Sequence, residues 1–211
     1  MKISRGLKED GVVAGNNFDK YGSKNPIVKK IMRGFDESLY SLVESVSPST
    51  IHEVGCGEGF WVINWLRKGI TVHGSDFSSY IIDIAKENAC AAGEDPSVFS
   101  VKSIYDLDEN TDKAELIICC EVLEHLDNPR AGLEALRRIT SSHIILSVPR
   151  EPLWCGLNLA RGKYITNLGN TPGHIQHWTK KMFLILVSNY FSIIDIRSPI
   201  PWTMVLAQAK S

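Results

Sequence analysis

The sequence has no strong charge excess and no apolar run long enough to cross a bilayer. Lys and Arg together number 23 and Asp and Glu 24, so the formal net charge is -1. A chain without a basic excess lacks the overall field that draws proteins to nucleic acid, and a transmembrane helix needs about 20 apolar residues. We therefore expect no nucleic acid partner and no membrane insertion. The sequence leaves the oligomeric state open.

Cysteine is scarce and unpatterned. The five cysteines form no Cys-x-x-Cys pair, and Cys119 and Cys120 are adjacent in an apolar run, where strand geometry points their side chains to opposite faces. The first residues, 1–6, lack the apolar core of a signal peptide. Free thiols in a reducing compartment fit this pattern, and we expect a cytoplasmic protein.

From residue 50 onward, strand-like and helix-like segments alternate. The pattern predicts helices at 60–67 and 79–92 and after Asn128-Pro129, and strands at 51–54, 71–75, 98–101, 116–120 and 144–148. Two further strands, 191–196 and 202–207, follow a helix capped by Thr179, and their short Pro-Ile-Pro link favours an antiparallel hairpin. The chain is therefore predicted to be an α/β protein with a seven-stranded, mostly parallel sheet, helices on both faces and an antiparallel last strand.

Two segments do not fit this alternation. Residues 1–24 are polar and Gly-rich and precede a helix that begins at Asn25-Pro26, a cap followed by a first-turn proline. Residues 150–178, after the fifth strand, are too long and too Gly-rich for an ordinary connection. We expect 1–24 to be a flexible N-terminal lid and 25–211 a single domain, with 150–178 as an insertion that covers substrate.

The most specific motif runs from Glu53 to Gly59 and reads Glu-Val-Gly-Cys-Gly-Glu-Gly. It leaves a strand and enters a helix, and its glycines allow a sharp turn and close approach to a ligand. Dinucleotide sites carry G-x-G-x-x-G, whereas Phe60 stands here at the third glycine position, which disfavours a nicotinamide oxidoreductase. Asp76 ends the next strand, where its carboxylate could accept both ribose hydroxyls. The alternative for Asp76, a helix cap, can be filled by Ser78 instead.

This motif resembles motif I of the class I S-adenosylmethionine-dependent methyltransferases, E/D-x-G-x-G-x-G. The segment 115–126, with Leu123-Glu124-His125-Leu126, looks like motif IV of the ubiquinone-biosynthesis O-methyltransferase type. The Asn/Asp-Pro-Pro-Tyr/Phe motif of DNA and protein-glutamine methyltransferases is absent. The resemblance covers roughly residues 50–150. It implies a Rossmann-like fold, S-adenosylmethionine as cofactor, S-adenosylhomocysteine as product and a small-molecule acceptor.

The resemblance also implies the residues that contact the cofactor. They lie in the N-terminal segment and first helix, in the Gly-rich turn, and after the second, third and fourth strands: Tyr21, Arg33, Glu53, Gly55, Cys56, Gly57, Gly59, Asp76, Phe77, Ser78, Ser103, Ile104, Tyr105, Cys120, Glu121 and Val122. Ser103 departs from the family, which usually has an Asp beside adenine at this position. Asp106 is a second candidate for that contact, or a loop cap.

Four residues are candidates for the chemistry. His125 could be the general base that removes the acceptor's proton, or it could be a structural histidine. His174 and His177 form an H-x-x-H pair, but zinc normally needs a further ligand and none of convincing spacing is present, so we expect no metal and favour substrate binding. Tyr21 could contact the cofactor or acceptor, or serve only as an aromatic anchor.

The sequence thus predicts methyl transfer to a small molecule, with an oxygen acceptor favoured. An amine acceptor is the alternative, since a free lone pair needs less help from a base. A non-catalytic S-adenosylmethionine-binding protein of the same fold is the third possibility, because fold does not determine function.

Overall fold

The computed structural model describes residues 1–6, 8–9, 12–16 and 19–210. Two short strands form an N-terminal hairpin, β1 (Lys8–Glu9) and β2 (Val12–Val13). Seven strands form the main sheet: β3 (Thr50–Val54), β4 (Thr71–Asp76), β5 (Phe99–Val101), β6 (Ala114–Cys120), β7 (Thr140–Pro149), β8 (Phe191–Arg197) and β9 (Trp202–Ala209). The helices are α1 (Pro26–Val46), α2 (Phe60–Arg67), α3 (Ser79–Ala92), α4 (Pro129–Ile139), α5 (Leu153–Ala160) and α6 (Lys180–Ser188).

The strand order in the main sheet is β5-β4-β3-β6-β7-β9-β8. Strands β3 to β7 pair in parallel, and β9 pairs antiparallel with both β7 and β8. The predicted seven-stranded Rossmann-like sheet with an antiparallel last strand is confirmed. All carboxyl ends of β3, β4 and β6 therefore meet at one edge of the sheet, which is where such folds bind ligands.

Both faces of the sheet are covered, and β6 shows why. Leu116 and Ile118 belong to a core cluster with α1 and α2, whereas Ile117 and Cys119 belong to a second cluster with α4 and α6. All four side chains are fully buried. A strand with apolar residues at every position can be buried on both faces because successive side chains point to opposite sides.

Helix caps fix where the helices begin. The side chains of Asn25, Ser78, Asn128 and Thr179 each accept a hydrogen bond from a backbone N–H in the first turn of α1, α3, α4 and α6. These caps satisfy N–H groups that have no partner inside the helix. The predicted starts of these four helices are confirmed at the residue.

The insertion at 150–178 contains a helix that the sequence pattern did not predict, α5. Buried Asn158 donates from Nδ2 to the Gly169 carbonyl at 2.9 Å and to Thr171 Oγ1 at 3.2 Å. Trp154 also donates to Thr171 Oγ1, at 2.9 Å. The two ends of the insertion meet, because the backbone N–H of Glu151 donates to the Trp178 carbonyl at 2.9 Å. The insertion is thus a folded unit, and its role as a substrate lid remains a prediction.

The N-terminal segment is fastened to the Gly-rich turn through Glu58. This buried carboxylate accepts hydrogen bonds from the backbone and hydroxyl of Ser4, at 3.1 and 3.0 Å, and from the backbone of Asn16, at 2.7 Å. Residues 7, 10, 11, 17 and 18 of the expected lid, and residue 211 of the expected domain, lie outside the described residues. The lid remains a prediction.

Within the described ranges, no helix combines the length and apolarity needed to cross a membrane. The five cysteines all lie in those ranges and are free thiols.

Candidate active site

The turn between β3 and α2 has a left-handed backbone at its three glycines. Gly55, Gly57 and Gly59 all have positive φ, at 75°, 53° and 82°, a region that other residues rarely adopt. A Cβ at Gly55 would lie 2.2 Å from Val122 Cγ2, so the loop after β6 packs directly against this glycine. A Cβ at Gly57 would meet nothing within 4 Å. The turn is therefore open at Gly57, where a ligand can approach the backbone.

Asp76 lies at the end of β4 beside this open backbone. Its Oδ2 accepts a hydrogen bond from Gly57 N at 3.1 Å and its Oδ1 accepts one from Ser78 N at 3.1 Å. Burial raises the pKa of Asp76 to about 6, although these backbone donors oppose the shift. Ser78 caps α3, as expected. Because a carboxylate oxygen can accept two hydrogen bonds, both oxygens of Asp76 can still bind the ribose hydroxyls of a nucleoside.

Glu53 places a buried carboxyl group next to the turn. Its side chain is buried on β3, and Oε2 has no hydrogen-bond partner among the described residues. Burial raises the pKa of this carboxyl to about 8, with the ammonium of Lys20 opposing the shift. A buried carboxyl oxygen without a partner is costly. A hydrogen-bond donor on the cofactor would satisfy Oε2, and a positive charge there would lower the raised pKa of this carboxyl.

Tyr21, in the N-terminal segment, contacts the first two residues of α2. Tyr21 stacks on Phe60 with ring centroids 3.6 Å apart, and its hydroxyl accepts a hydrogen bond from Trp61 Nε1 at 3.0 Å. These contacts match the aromatic-anchor alternative for Tyr21, and they place it at the start of α2. A cavity of about 280 Å³ adjoins this pair, lined by Lys20, Tyr21, Lys29, Met32, Arg33, Asp36 and Phe60. Arg33 thus lines this cavity from an exposed part of α1, and its contact with the cofactor stays a prediction.

The predicted adenine segment has local structure of its own. Ser103 caps a short 3-10 helix, Ile104–Asp106, and its hydroxyl accepts a hydrogen bond from Tyr105 N at 3.3 Å. Ile104 is buried, whereas Tyr105 is exposed and its hydroxyl accepts from Asn128 N at 3.2 Å. The Ser103 hydroxyl caps this helix through one lone pair and can still donate a hydrogen bond. The hydroxyl and backbone of this segment, and Asp106, stay candidates for binding adenine.

The loop after β6 carries the other half of the site. Glu121 has a left-handed backbone, with φ at 61°. Its carboxylate accepts hydrogen bonds from Ser147 Oγ at 2.9 Å and Trp202 Nε1 at 2.5 Å. Burial raises the pKa of Glu121 to about 7. Cys120 and Val122, which flank Glu121, are half-buried. Of the predicted cofactor contacts in the other loops, Cys56 is buried and Phe77 is exposed.

His125 follows in a 3-10 helix, Leu123–His125. Its Nδ1 lies 2.9 Å from the Gly173 carbonyl oxygen of the insertion. A carbonyl can only accept, so Nδ1 carries the proton and Nε2 has the free lone pair. Burial lowers the pKa of His125 below its ordinary value. A neutral imidazole with a free Nε2 can take a proton or bind a cation.

His174 joins His125, and His177 does not. The rings of His125 and His174 are 4.9 Å apart and nearly perpendicular. His174 is buried, which lowers its pKa to about 3, whereas His177 is exposed. His177 still acts electrostatically on His174, and His174 also contacts His125, which is far away in the sequence. The backbone N–H groups of Ile175 and Gln176 both donate to the Glu124 carbonyl. These bonds hold the insertion, and with it His174, against the loop after β6.

Glu124 completes a group that sequence reasoning missed. Ligand atoms of Glu124, His125 and His174 all lie within 4.8 Å of one another. Glu124 is 1% exposed, and neither carboxylate oxygen has a partner among the described residues. Two imidazoles and a carboxylate form a donor set that suits a divalent metal ion. The expectation of no metal rested on His174 and His177 without a third ligand, and it stays a prediction; Glu124, His125 and His174 form a different candidate set.

The comparisons with known proteins point to one family. Residues 52–142 match a family model described as a methyltransferase domain. The ubiquinone biosynthesis O-methyltransferase of Alkalilimnicola ehrlichii is 26% identical over 153 residues, covering 65% of this chain and 61% of that protein. The chain thus spans less than two thirds of that relative's length. The magnesium-protoporphyrin O-methyltransferase of Synechocystis sp. is 26% identical over 183 residues, or 82% of this chain and 78% of that protein.

A solved structure has the same fold. The magnesium protoporphyrin IX methyltransferase from Synechocystis, with bound S-adenosylhomocysteine, superposes with a TM-score of 0.66 at 23% identity over 90% of each chain. Four findings agree. They are the Gly-rich turn with its open Gly57, the Asp76 carboxylate beside that turn, the family match and this fold. Residues 52–142 match a methyltransferase domain, and the chain has the fold of the class I S-adenosylmethionine-dependent methyltransferases.

Proposed function

We propose that the protein transfers a methyl group from S-adenosylmethionine to an oxygen atom of a small-molecule acceptor. The observation that carries the proposal is the buried group formed by Glu124, His125 and His174 beyond the carboxyl end of β6. It lies on the same side of the sheet as the Gly-rich turn and contains groups that can ionise an acceptor hydroxyl. The two sequence relatives described above are both named as O-methyltransferases, which supports oxygen over nitrogen.

At the cofactor end, the residues bind and orient. Asp76 would hold the ribose, the backbone at Gly57 would lie along the cofactor, and the unpartnered Oε2 of Glu53 would face a donor or cationic group of the cofactor. S-adenosylmethionine supplies a methyl group that is already activated on a sulfonium sulfur. The protein must therefore mainly align the acceptor and exclude water. Tyr21 and the rest of the N-terminal segment would cover this end.

At the acceptor end, His125 would remove the proton through Nε2, because Nδ1 is bonded to Gly173. Its lowered pKa keeps the imidazole neutral near pH 7, as a base must be. Glu124, His125 and His174 are also the residues that would hold a divalent cation. In that alternative the Nε2 lone pair of His125 would be a metal ligand and not a base, because Nδ1 is bonded to Gly173. Such a cation would bind the acceptor oxygen and lower the pKa of its hydroxyl.

The function is tested by incubating the protein with S-adenosylmethionine labelled in the methyl group and pools of small molecules with phenolic, alcoholic, carboxyl or amine groups. We expect label in an ether or ester product, identified by mass spectrometry, and equimolar S-adenosylhomocysteine. An Asp76→Ala variant is the control for cofactor-independent labelling. Exclusive labelling of an amine would contradict the oxygen assignment, and binding without transfer to any pool would favour a non-catalytic protein.

A further inference from the structure

Glu121 is held in an unfavourable backbone conformation. It is the first residue after β6, and its φ of 61° is one that a residue with a side chain rarely adopts. Its N–H donates to the Ser147 carbonyl at 3.1 Å. Backbone strain of this kind persists only where surrounding contacts over-determine it, and it is concentrated at functional sites.

The contacts that hold Glu121 come from two different strands. Ser147, on β7, donates to Oε1 at 2.9 Å, and Trp202, the first residue of β9, donates from its indole nitrogen to Oε2 at 2.5 Å. Both donors are buried. Each carboxylate oxygen therefore has one fixed donor, and the side chain has a single orientation. Without the indole donor, Oε2 would lack a hydrogen-bond partner, and the Glu121 carboxylate could rotate towards other donors.

Trp202 is itself held by two elements that border the site. Its ring packs edge-on against Phe35 of α1, with centroids 5.0 Å apart, and lies 5.9 Å from Trp154 of α5. Trp154 in turn stacks on His174, with centroids 5.6 Å apart. The indole that binds Glu121 is thus also packed against the tryptophan that supports His174.

From this arrangement we propose that Trp202 is a positioning residue for the acceptor end of the site. Its N–H keeps the Glu121 carboxylate beside, and not inside, the space next to Glu124 and His125, and its ring supports Trp154 behind His174. This inference rests on the proposed methyl transfer, in which that space receives the acceptor. Loss of the N–H would release Glu121 to compete with the acceptor, whereas loss of a buried N–H elsewhere would not.

The chain offers a matched control for the test. Trp202→Phe keeps an aromatic ring and removes the N–H. Trp65→Phe makes the same change at another buried tryptophan, whose Nε1 has no partner among the described residues. We expect Trp202→Phe to lower kcat by roughly tenfold or more, the usual order for a hydrogen bond to a charged group, with S-adenosylhomocysteine affinity unchanged. Trp65→Phe should keep its kcat.

Two further measurements separate positioning from general destabilisation. In a Glu121→Gln background, Trp202→Phe should cause little additional loss, because its main target is then absent. The ¹H-¹⁵N resonance of the Trp202 indole should move in Glu121→Gln and stay in place in Trp65→Phe. Full kcat in a folded Trp202→Phe protein, or an indole resonance unmoved by Glu121→Gln, would overturn the proposal. If the wild type methylates nothing, the proposed function fails, and the resonance still decides whether Trp202 holds Glu121.

Discussion

His125 Nδ1 lies 2.9 Å from the carbonyl oxygen of Gly173, 48 positions further along the chain. This bond joins the loop after β6 to the insertion and determines which nitrogen of His125 is free. It also brings His174, the next residue after Gly173, against the His125 ring. The chemistry proposed for the acceptor end therefore depends on a contact that neither segment could make alone.

Replacing Asp76 should weaken cofactor binding more than it weakens the fold. Asp76→Ala removes the acceptor for two ribose hydroxyls, and each charge-assisted hydrogen bond is worth about 1.5–3 kcal/mol. We expect the Kd for S-adenosylhomocysteine, measured by calorimetry, to rise at least about tenfold, or about 1.4 kcal/mol. Asp83→Ala, which removes an exposed carboxylate from α3, is the control. Equal affinity in the two folded variants would remove Asp76 from the site.

His125 should matter for turnover more than for cofactor affinity. A general base contributes about 10²–10⁴-fold, so His125→Ala should lose turnover in that range. His125→Gln should lose nearly as much, because an amide cannot take the proton. A much smaller loss is expected if the acceptor is a neutral amine. Turnover, cofactor Kd and Tm should be measured for both variants. Full activity of His125→Gln would exclude the base, and parallel losses of Tm and cofactor binding would indicate a structural histidine.

A divalent cation should bind once per chain at Glu124, His125 and His174. Titration with Mn²⁺ or Zn²⁺ in a calorimeter should be saturable for the wild type and abolished in Glu124→Gln and His174→Ala. His177→Ala is the matched control and should bind normally, since His177 is exposed and lies outside the group. If the cation assists transfer, chelator should lower turnover and added metal should restore it. A wild type without saturable binding would leave His125 acting alone.

Glu53 should make stability fall as pH rises. Its pKa is raised from 4.5 to about 8 in the folded protein, so between these values the unfolded chain has released the proton and the folded chain still holds it. The free energy of unfolding should therefore decrease with rising pH, by up to about 1.4 kcal/mol per pH unit. Glu53→Gln removes this contribution. The difference in the free energy of unfolding between Glu53→Gln and the wild type, measured in urea, should therefore shift in favour of the variant as the pH rises from 5 to 8. Parallel profiles for the two proteins would contradict the buried, protonated carboxyl.

The two segments expected to cover the site should respond to ligand. Hydrogen exchange in residues 1–24 and 150–178 should slow when S-adenosylhomocysteine is added, since both segments contact groups at the site through Glu58 and Glu124. Helix α6, which forms part of the core on the far face, is the internal reference. Exchange that is unchanged in both segments would mean that neither is a lid.

Sequence periodicity was sufficient for the sheet because each strand and helix leaves a local pattern. The caps at Asn25, Ser78, Asn128 and Thr179 and the apolar run of β6 are examples. Strands of only two residues, such as β1 and β2, are too short to show alternation. The sequence pattern did not reveal helix α5, because hydrogen bonds from Asn158 and Trp154 to residues further along the insertion hold it in place.

The site was predicted best where one short segment forms it. The Gly-rich turn and Asp76 lie on consecutive elements and were identified correctly as neighbours. The acceptor end was harder, because proximity in sequence is a poor guide to ligand sets built by tertiary contacts. His177 was chosen as a partner of His174 by spacing, whereas Glu124 and His125 reach it through space. Glu124 could have been found from its place between Glu121 and His125 in a loop that follows a buried strand.

The meeting of the insertion's two ends has an evolutionary consequence. Since Glu151 and Trp178 are hydrogen-bonded to each other, the chain departs from the sheet and returns at one point. Lengthening or rebuilding such a closed excursion costs little, because loop-closure entropy grows only logarithmically with length. The strands and the Gly-rich turn need not change when it does. Residues 150–178 can therefore diverge in length and sequence as a unit; if they cover the acceptor, as predicted, such changes would alter the acceptor without altering the cofactor end.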